Sequence, residues 1–333
     1  MMRNIHILLL FFLILNPGGL SRAGVTGEFF LNENQILTDQ GGRTLEIRKP
    51  FTRIISLYGA HTENLFSLGL DREIIGVTRQ DRFLKKAVNK PVFSYHDDPE
   101  KFLAAKPDLV LIRPMIDRGY AKLMQRLEKS GIIVVSVQPK TIEHMYRYWA
   151  VTGALTGKKQ ASECMIGQFR QAVREFGLIS GSVRTKKRVY FEAMHKNMKT
   201  FTSGSMADFV LRTAGGINVA DDGTPSRGTN IAIYGKEKIL SKANEIDVFL
   251  AQSGAMNQPT KQMIQNEPGF SVIRAVKNNE IYIVDEQIVS RPTMRLLYGI
   301  HQIGTILYPD VLGEKWDQIF KKAFRPWTKQ SDM

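Results

Sequence analysis

Cysteine is almost absent from this chain, which has one, Cys164, in 333 residues. A single cysteine excludes an internal disulfide. Because no His or Asp flanks Cys164, we expect a small buried hydrophobe on a helix and not a reactive thiol. Long apolar runs are scarce too: beyond the first 23 residues, no stretch is long and apolar enough to span a bilayer. The sequence therefore disfavours a disulfide scaffold and a membrane-spanning protein.

Motifs of the common hydrolases and nucleotide-binding enzymes are also missing. The sequence contains no Gly-x-Ser-x-Gly elbow, no His-Glu-x-x-His and no P-loop. Asp97 and Asp98 are adjacent, so we do not expect them to converge on one site. An exported enzyme is a weaker hypothesis than a binding protein, because the sequence shows no nucleophile–base set and no paired carboxylates.

The N-terminal segment has the pattern of an export signal. Arg3 supplies a positive start, residues 7–15 form an apolar run too short for a membrane span, and Ser21-Arg22-Ala23 fits a small-residue cleavage pattern. We predict a signal peptide over residues 1–23 and a mature chain that begins near Gly24. Since no cysteine lies near that site, we expect no lipid anchor and a periplasmic location.

The charge of the chain is strongly positive, with a formal net charge of +14. Such a balance attracts anions. Nucleic acid is disfavoured, because the sequence has no Lys/Arg block and no aromatic-basic platform. The charge therefore favours a small anionic ligand; the alternative is a general Lys/Arg bias of the source.

Strand and helix patterns alternate in two successive halves, and the chain is too long for one compact core. Continuous apolar runs without polar alternation are typical of parallel strands that are covered on both faces. We predict an α/β fold of two Rossmann-like lobes, an N-terminal lobe over 24–157 and a C-terminal lobe over 181–333. The predicted strands are 53–57, 74–77, 109–112 and 132–137 in the first lobe and 189–193, 248–251 and 281–284 in the second.

One long helix is predicted between the two lobes, at residues 158–180. From Lys158 to Phe176 the apolar residues recur at spacings of three and four, which places them in one stripe on a helix. Cys164 falls inside this stripe.

Several short motifs, weak one by one, match a known family in order and spacing. They are Asp39-Gln40-Gly41-Gly42-Arg43, Thr62-Glu63-Asn64-Leu65, Lys106-Pro107-Asp108-Leu109-Val110, Ala214-Gly215-Gly216-Ile217-Asn218 and Ser290-Arg291-Pro292. With them, nearly the whole mature chain resembles the class III periplasmic substrate-binding proteins of ABC importers for iron complexes, cobalamin and haem. The resemblance implies two α/β lobes joined by a single long rigid helix, with the ligand between the lobes and a modest closing motion.

The resemblance also implies a docking rule. In relatives, one surface Glu per lobe pairs with Arg residues of the membrane permease, and Glu100 and Glu237 match these positions. The alternative for each is an ordinary solvated charge. The implied partners are an ABC permease dimer in the inner membrane with its ATPase; we expect a monomer, no nucleic acid and no intrinsic cofactor.

Candidate ligand contacts follow the predicted strands, because ligands of doubly wound sheets meet the carboxyl ends of the strands. After the first strand come residues 58–61, and the next helix is predicted to start at Thr62. Arginine is prominent among them, and its guanidinium offers paired donors to carboxylate, catecholate or oxyanion groups. Arg113 and Arg291 are the favoured ones; for any single Arg, an ordinary surface or helix pair is the alternative. The full set is Tyr58, His61, Arg79, Tyr95, His96, Arg113, His195, Arg227, Arg291 and Arg295.

Two side chains are candidates for direct ligation of the metal. His195 after a strand is a candidate ligand of iron or nickel in an incompletely chelated complex. Tyr95 is the other candidate, because a Tyr in the equivalent loop binds iron in the haem-binding branch of the resembled family. That loop is shorter here, which disfavours haem.

These observations predict a periplasmic solute-binding protein that captures a ferric siderophore-like anionic metal chelate and delivers it to an ABC importer. Cobalamin is the first alternative. Haem, a nickel chelate, a molybdate-type oxyanion and a ligand-sensing role without transport also stay open, because one scaffold serves many ligands.

Overall fold

The computed structural model describes residues 28–226, 229–255 and 257–328. The predicted signal peptide lies outside these residues. Within these residues the fold is α/β, as predicted, and contains three sheets. No helix within the described ranges is long and apolar enough to cross a membrane.

A small antiparallel sheet, which the sequence patterns did not predict, precedes the first lobe. Its strands are β1 (Phe30–Leu31), β2 (Ile36–Thr38) and β3 (Thr44–Glu46). The turn between β2 and β3 carries the first family motif. The buried Asp39 carboxylate accepts hydrogen bonds from the backbone N–H groups of Gly41 and Arg43, and from Ser136 in the next sheet. Asp39 therefore ties the small sheet to the N-terminal parallel sheet.

The N-terminal parallel sheet has the strand order β5-β4-β6-β7, and all three pairings are parallel. Its strands are β4 (Ile54–Ser56), β5 (Ile74–Gly76), β6 (Leu109–Ile112) and β7 (Ile133–Ser136). The four predicted strands are thus confirmed, and their side chains are almost all buried. We refer to residues 28–156 as the N-terminal half.

Helices connect and cover these strands. They are α1 (Gly59–Ser67), α2 (Pro99–Ala105), α3 (Pro114–Gly119), α4 (Ala121–Lys129) and α5 (Ile142–Thr156), with 3₁₀ turns at Arg79–Phe83 and Lys85–Ala87. Helix α4 ends before Gly131, whose φ of 80° lies in the left-handed region that glycine adopts without strain. Helix α5 was not predicted; its Tyr148 and Trp149 are fully buried.

Helix α6 (Lys159–Gly181) follows, with 23 residues and a length of about 35 Å at 1.5 Å per residue. Met165, Phe169, Ala172 and Phe176 are buried, which confirms the predicted stripe. Cys164 is exposed, so its predicted burial was wrong. It lies one position from Met165, about 100° around the helix and off the buried face. Helix α6 packs on α5 and on later helices of the chain; its role as a single rigid connector stays a prediction.

The C-terminal sheet has seven strands and mixes parallel with antiparallel pairs. The strands are β8 (Arg188–Met194), β9 (Lys199–Phe201), β10 (Ile217–Asn218), β11 (Thr224–Pro225), β12 (Ile231–Ile233), β13 (Val248–Ser253) and β14 (Ile281–Asp285). The parallel neighbours β8, β13 and β14 are the three predicted strands. The order is β11-β12-β9-β8-β13-β14, and β10 pairs with β8. We refer to residues 182–328 as the C-terminal half.

Seven helices belong to the C-terminal half within the described residues. They are α7 (Met206–Thr213), α8 (Lys236–Ser241), α9 (Lys261–Gln265), α10 (Arg274–Lys277), α11 (Glu286–Val289), α12 (Leu296–Leu307) and α13 (Pro309–Thr328). Helices α7, α12 and α13 pack on α6. The largest buried cluster runs through both halves and includes Trp149, Phe169, Phe176 and Trp316.

We predict that Asp39→Ala lowers the free energy of unfolding by about 2–4 kcal/mol, because three backbone N–H groups lose their acceptor. Chemical denaturation measures this change. Glu46→Ala is the control, since Glu46 pairs with Arg48 at the exposed edge of β3, and we expect no measurable change there. Equal stability of both variants would contradict this role of Asp39.

Candidate ligand-binding site

Two predicted ligand residues meet at the carboxyl end of the N-terminal parallel sheet. Strand β4 leads into Tyr58, and its neighbour β6 leads into Arg113. Because the two strands are parallel and adjacent, with Ser56 opposite Leu111, the residues that follow them come together. The Arg113 Cζ lies 4.9 Å from the centre of the Tyr58 ring, a cation–π arrangement.

Arg291 reaches this place from the C-terminal half. A Cβ atom on Gly59 would lie 2.7 Å from Arg291 Nη1 and 2.9 Å from Asp81 Oδ1. The guanidinium and the carboxylate therefore lie close against the backbone at the first residue of α1. Only a residue without a side chain leaves room for both groups.

Asp81 and Glu286 surround Arg291 with negative charge. Glu286 Oε1 lies 3.5 Å from Arg291 Nη2. Asp81 Oδ2 accepts hydrogen bonds from the Thr62 hydroxyl and the Thr78 N–H, each at 2.9 Å. Burial raises the pKa of Asp81, although these hydrogen bonds and the charge of Arg291 act to lower it. Glu286 thus pairs with Arg291, and the Asp81 carboxylate of the N-terminal half lies close enough for the two charges to interact.

Charged side chains of both halves act on Tyr58. Burial raises the pKa of Tyr58, while Arg113 from the N-terminal half and Arg291 from the C-terminal half lower it. Glu286 and Glu63 raise the pKa further. The strand ends of the N-terminal sheet therefore face the segment that follows β14.

Arg295, another predicted ligand residue, lies at the junction of the halves. Its Nε donates to Glu63 Oε1 at 2.8 Å, and Glu63 is buried within α1. Burial raises the pKa of Glu63, and the charge of Arg295 opposes that rise. This ion pair joins α1 to the start of α12. The Arg295 guanidinium therefore has a structural role at the junction.

His61 lies in the core. Helix α1 begins at Gly59 and not at Thr62 as predicted, so His61 is inside the helix and only 1% exposed. Its Nε2 donates to the Ile112 carbonyl at 3.0 Å, and its Nδ1 accepts from the Tyr148 hydroxyl at 2.7 Å. Burial lowers the pKa of His61 to about 4. Because both ring nitrogens are used, we leave His61 out of the proposed site.

Tyr95 and His96 form an aromatic cluster with Tyr120 on the N-terminal half. The Tyr95 ring centre lies 4.6 Å from that of Tyr120, and the Tyr120 hydroxyl lies 3.2 Å from His96 Nδ1. A groove of about 540 Å³ beside this cluster is lined by Tyr120, Asp97 and Arg118. Iron ligation by Tyr95 stays a prediction.

His195 lies at the end of β8 between two carboxylates. Its Nδ1 is 3.1 Å from the buried Glu192, and its Nε2 is 3.7 Å from Glu267. The hydrogen bond to Glu192 raises the pKa of His195. A cavity of about 510 Å³ is lined by His195, Asn257 and Glu267, among others. Across the described part of the chain, no group of three His, Cys, Asp or Glu side chains is arranged to hold a metal ion.

The remaining predicted residues are dispersed. Arg79 is exposed at the start of a 3₁₀ turn, and Arg227 lies outside the described residues. Glu100 and Glu237 are exposed, each at the second position of a short helix, α2 and α8.

Sequence reasoning missed Gly59, Gly254 and Glu286. A Cβ on Gly254, just after β13, would collide with the Glu286 side chain, so one glycine from each half makes room for the charged groups. The signal for both glycines is their position within three residues of the end of a predicted strand. Glu286 follows β14 in the same way.

Comparisons with known proteins identify the family of the chain. A family model described as periplasmic binding protein matches residues 54–288. An uncharacterised ABC transporter substrate-binding lipoprotein of Bacillus subtilis is 24% identical over 284 residues, which cover 84% of this chain and 87% of that protein. The vitamin B12-binding protein of Vibrio cholerae is 25% identical over 268 residues, 78% of this chain and 91% of that one.

A solved structure extends the match to the fold. It belongs to a possible iron-binding periplasmic solute-binding protein of Staphylococcus epidermidis, with a TM-score of 0.68 and 26% identity over 78% of this chain and 100% of that chain. The chain belongs to the periplasmic binding protein family. The family match confirms the resemblance seen in the motifs of the chain.

We predict that Gly59→Ala lowers the free energy of unfolding by about 1–3 kcal/mol, because the added methyl group displaces Arg291 or Asp81. Thermal or chemical denaturation measures the loss. Gly167→Ala is the matched control: Gly167 is inside α6, and a Cβ there has no neighbour within 4 Å. We expect its stability to stay equal or rise slightly, since alanine favours helix. A stable Gly59→Ala variant would overturn the tight packing proposed at this residue.

Proposed function

We propose that this protein captures a metal complex between its N-terminal and C-terminal halves and delivers it to an ABC permease and its ATPase. The observation that carries this proposal is that Tyr58 and Arg113, at the strand ends of the N-terminal sheet, lie beside Arg291 from the C-terminal half. Carboxyl ends of parallel strands are where open α/β sheets bind ligands. The protein has no chemical step of its own in this proposal.

An iron complex is the first candidate cargo. The structural relative from Staphylococcus epidermidis is a possible iron-binding protein. Cobalamin is the second candidate, because the Vibrio cholerae relative is a vitamin B12-binding protein that aligns over 91% of its length. In both cases the protein acts as an exported periplasmic monomer whose halves close slightly around the complex.

Permease docking is assigned to Glu100 and Glu237. Glu100 has a side chain that is 70% exposed and pairs with Arg126 at 3.4 Å, a contact of little energetic weight on a surface. Glu237 occupies the same position in α8 as Glu100 does in α2. A matching pair of exposed carboxylates, one in each half, suits orientation on a two-fold permease through Arg contacts.

A ligand panel tests the proposed function. Thermal shift and tryptophan quenching are measured with ferric siderophores, cobalamin, haemin, nickel-histidine and molybdate. We expect one saturable hit, and Trp149 is a useful reporter because its Nε1 donates to the Pro292 carbonyl at the junction of the halves. Arg113→Ala should weaken that hit by about 1.5–3 kcal/mol, the value of a hydrogen bond to a charged group.

Arg170→Ala is the matched control for that experiment. Arg170 also stacks on a tyrosine, Tyr146, at 4.3 Å, but it belongs to α6 and follows no strand. We expect its ligand affinity to equal that of the unmodified protein. Equal affinity of the Arg113 and Arg170 variants would remove Arg113 from the site, and no saturable ligand in the panel would contradict the proposed cargo class.

The docking residues are tested by charge reversal. Glu100→Arg and Glu237→Arg should each reduce ligand uptake through the cognate permease, because an attractive contact becomes repulsive, while ligand affinity in solution stays unchanged. Glu46→Arg, a reversal at another exposed glutamate, is the control and should leave uptake normal. Reduced ligand affinity in either docking variant would place that residue in the ligand site.

A further inference from the structure

The charged groups around Tyr58 are balanced in sign, although the chain as a whole carries a formal net charge of +14. Three guanidinium groups and three carboxylates either lie next to Tyr58 or interact with a group that does, and we call this set the Tyr58 cluster. Its members are Tyr58, Arg113, Arg291, Arg295, Glu63, Asp81 and Glu286. The excess positive charge of the protein therefore lies outside this cluster.

Two of the three arginines already contact protein carboxylates. Arg295 binds Glu63 at 2.8 Å. Arg291 lies 3.5 Å from Glu286, and its charge acts on the buried Asp81. A guanidinium next to protein carboxylates attracts a further anion only weakly, because the nearby negative charges repel that anion.

Arg113 differs from these two arginines. It is half-buried and stacks on the face of Tyr58 at 4.9 Å. Among the described residues it forms no ion pair, and the structure gives it no carboxylate partner. Stacking leaves the N–H edge of the guanidinium available to a ligand group in its plane.

We propose that the ligand of this site is a metal complex of low net charge, which presents one acceptor group to Arg113 and apolar or aromatic surface to Tyr58. This inference rests on the proposed function and narrows it. A complex with several negative charges would bring those charges close to the carboxylates of Glu63, Asp81 and Glu286. Arg113 would then be the single uncompensated cation of the cluster. Ferric trihydroxamates satisfy the condition, because three hydroxamates cancel the ferric charge. Ferric tricatecholates, which retain three negative charges, do not.

The test compares two ferric complexes of different charge, and one cobalt corrinoid, on the mature protein. Dissociation constants are measured for a neutral ferric trihydroxamate, a trianionic ferric tricatecholate and cyanocobalamin. We expect the trihydroxamate or the corrinoid to bind at least about tenfold more tightly than the tricatecholate, which corresponds to 1.4 kcal/mol. Glu286→Gln removes one carboxylate from Arg291 and should improve tricatecholate binding, whereas Arg48→Ala, at an exposed arginine outside the cluster, should change none of the affinities.

A salt series on the unmodified protein gives a second measurement that needs no variant. Raising the salt from about 10 mM to about 1 M shortens the screening length from about 30 Å to about 3 Å, so affinity for the low-charge complex should change little. The proposed charge class is overturned if the tricatecholate binds more tightly than the other two complexes. It is also overturned if the tricatecholate is the best ligand and its affinity falls steeply with salt. Failure of all three complexes to bind contradicts the proposed function, and the charge class with it.

Discussion

The segment from Arg291 to Arg295 holds the two halves in one arrangement, and the geometry of the site depends on it. The Pro292 carbonyl accepts hydrogen bonds from Asn64 at 3.0 Å and from Trp149 at 3.3 Å. Arg295 binds the buried Glu63. Such an ion pair adds little net stability, but separation of its partners leaves a buried charge without compensation. The junction therefore favours one relative position of the halves, in which Arg291 faces Tyr58.

Overall charge and local charge lead to different conclusions about the ligand. The formal net charge of +14 suggests an anionic cargo. In the structure, Asp81, Glu63 and Glu286 balance Arg291 and Arg295, while Arg113 stacks on Tyr58. The field at the site is set by these near neighbours, because distant surface charges are screened by salt. The positive surface instead acts on association rates and on the orientation of partners.

The parallel strands could be predicted because continuous apolar runs and flanking glycines mark them directly. The β1–β3 sheet could not, since its strands have two or three residues and their pairing depends on the Asp39 contacts to a distant strand. The helix start at Gly59 was missed because Tyr58, its N-cap, accepts no side-chain capping bond. That shift of three residues decides whether His61 lies in the core or in the cleft. The pairing of Arg295 with Glu63 spans 232 positions, so no local pattern predicts it.

The position of the bound metal tests the account most directly. A crystal of the protein with its metal complex, measured at the absorption edge of the metal, gives that position from anomalous scattering. We expect one anomalous peak between the halves, beside Tyr58 and Arg113 and on the side of Arg291. A peak in the groove at Tyr120 or in the cavity at His195, with no metal at the Tyr58 cluster, would contradict it.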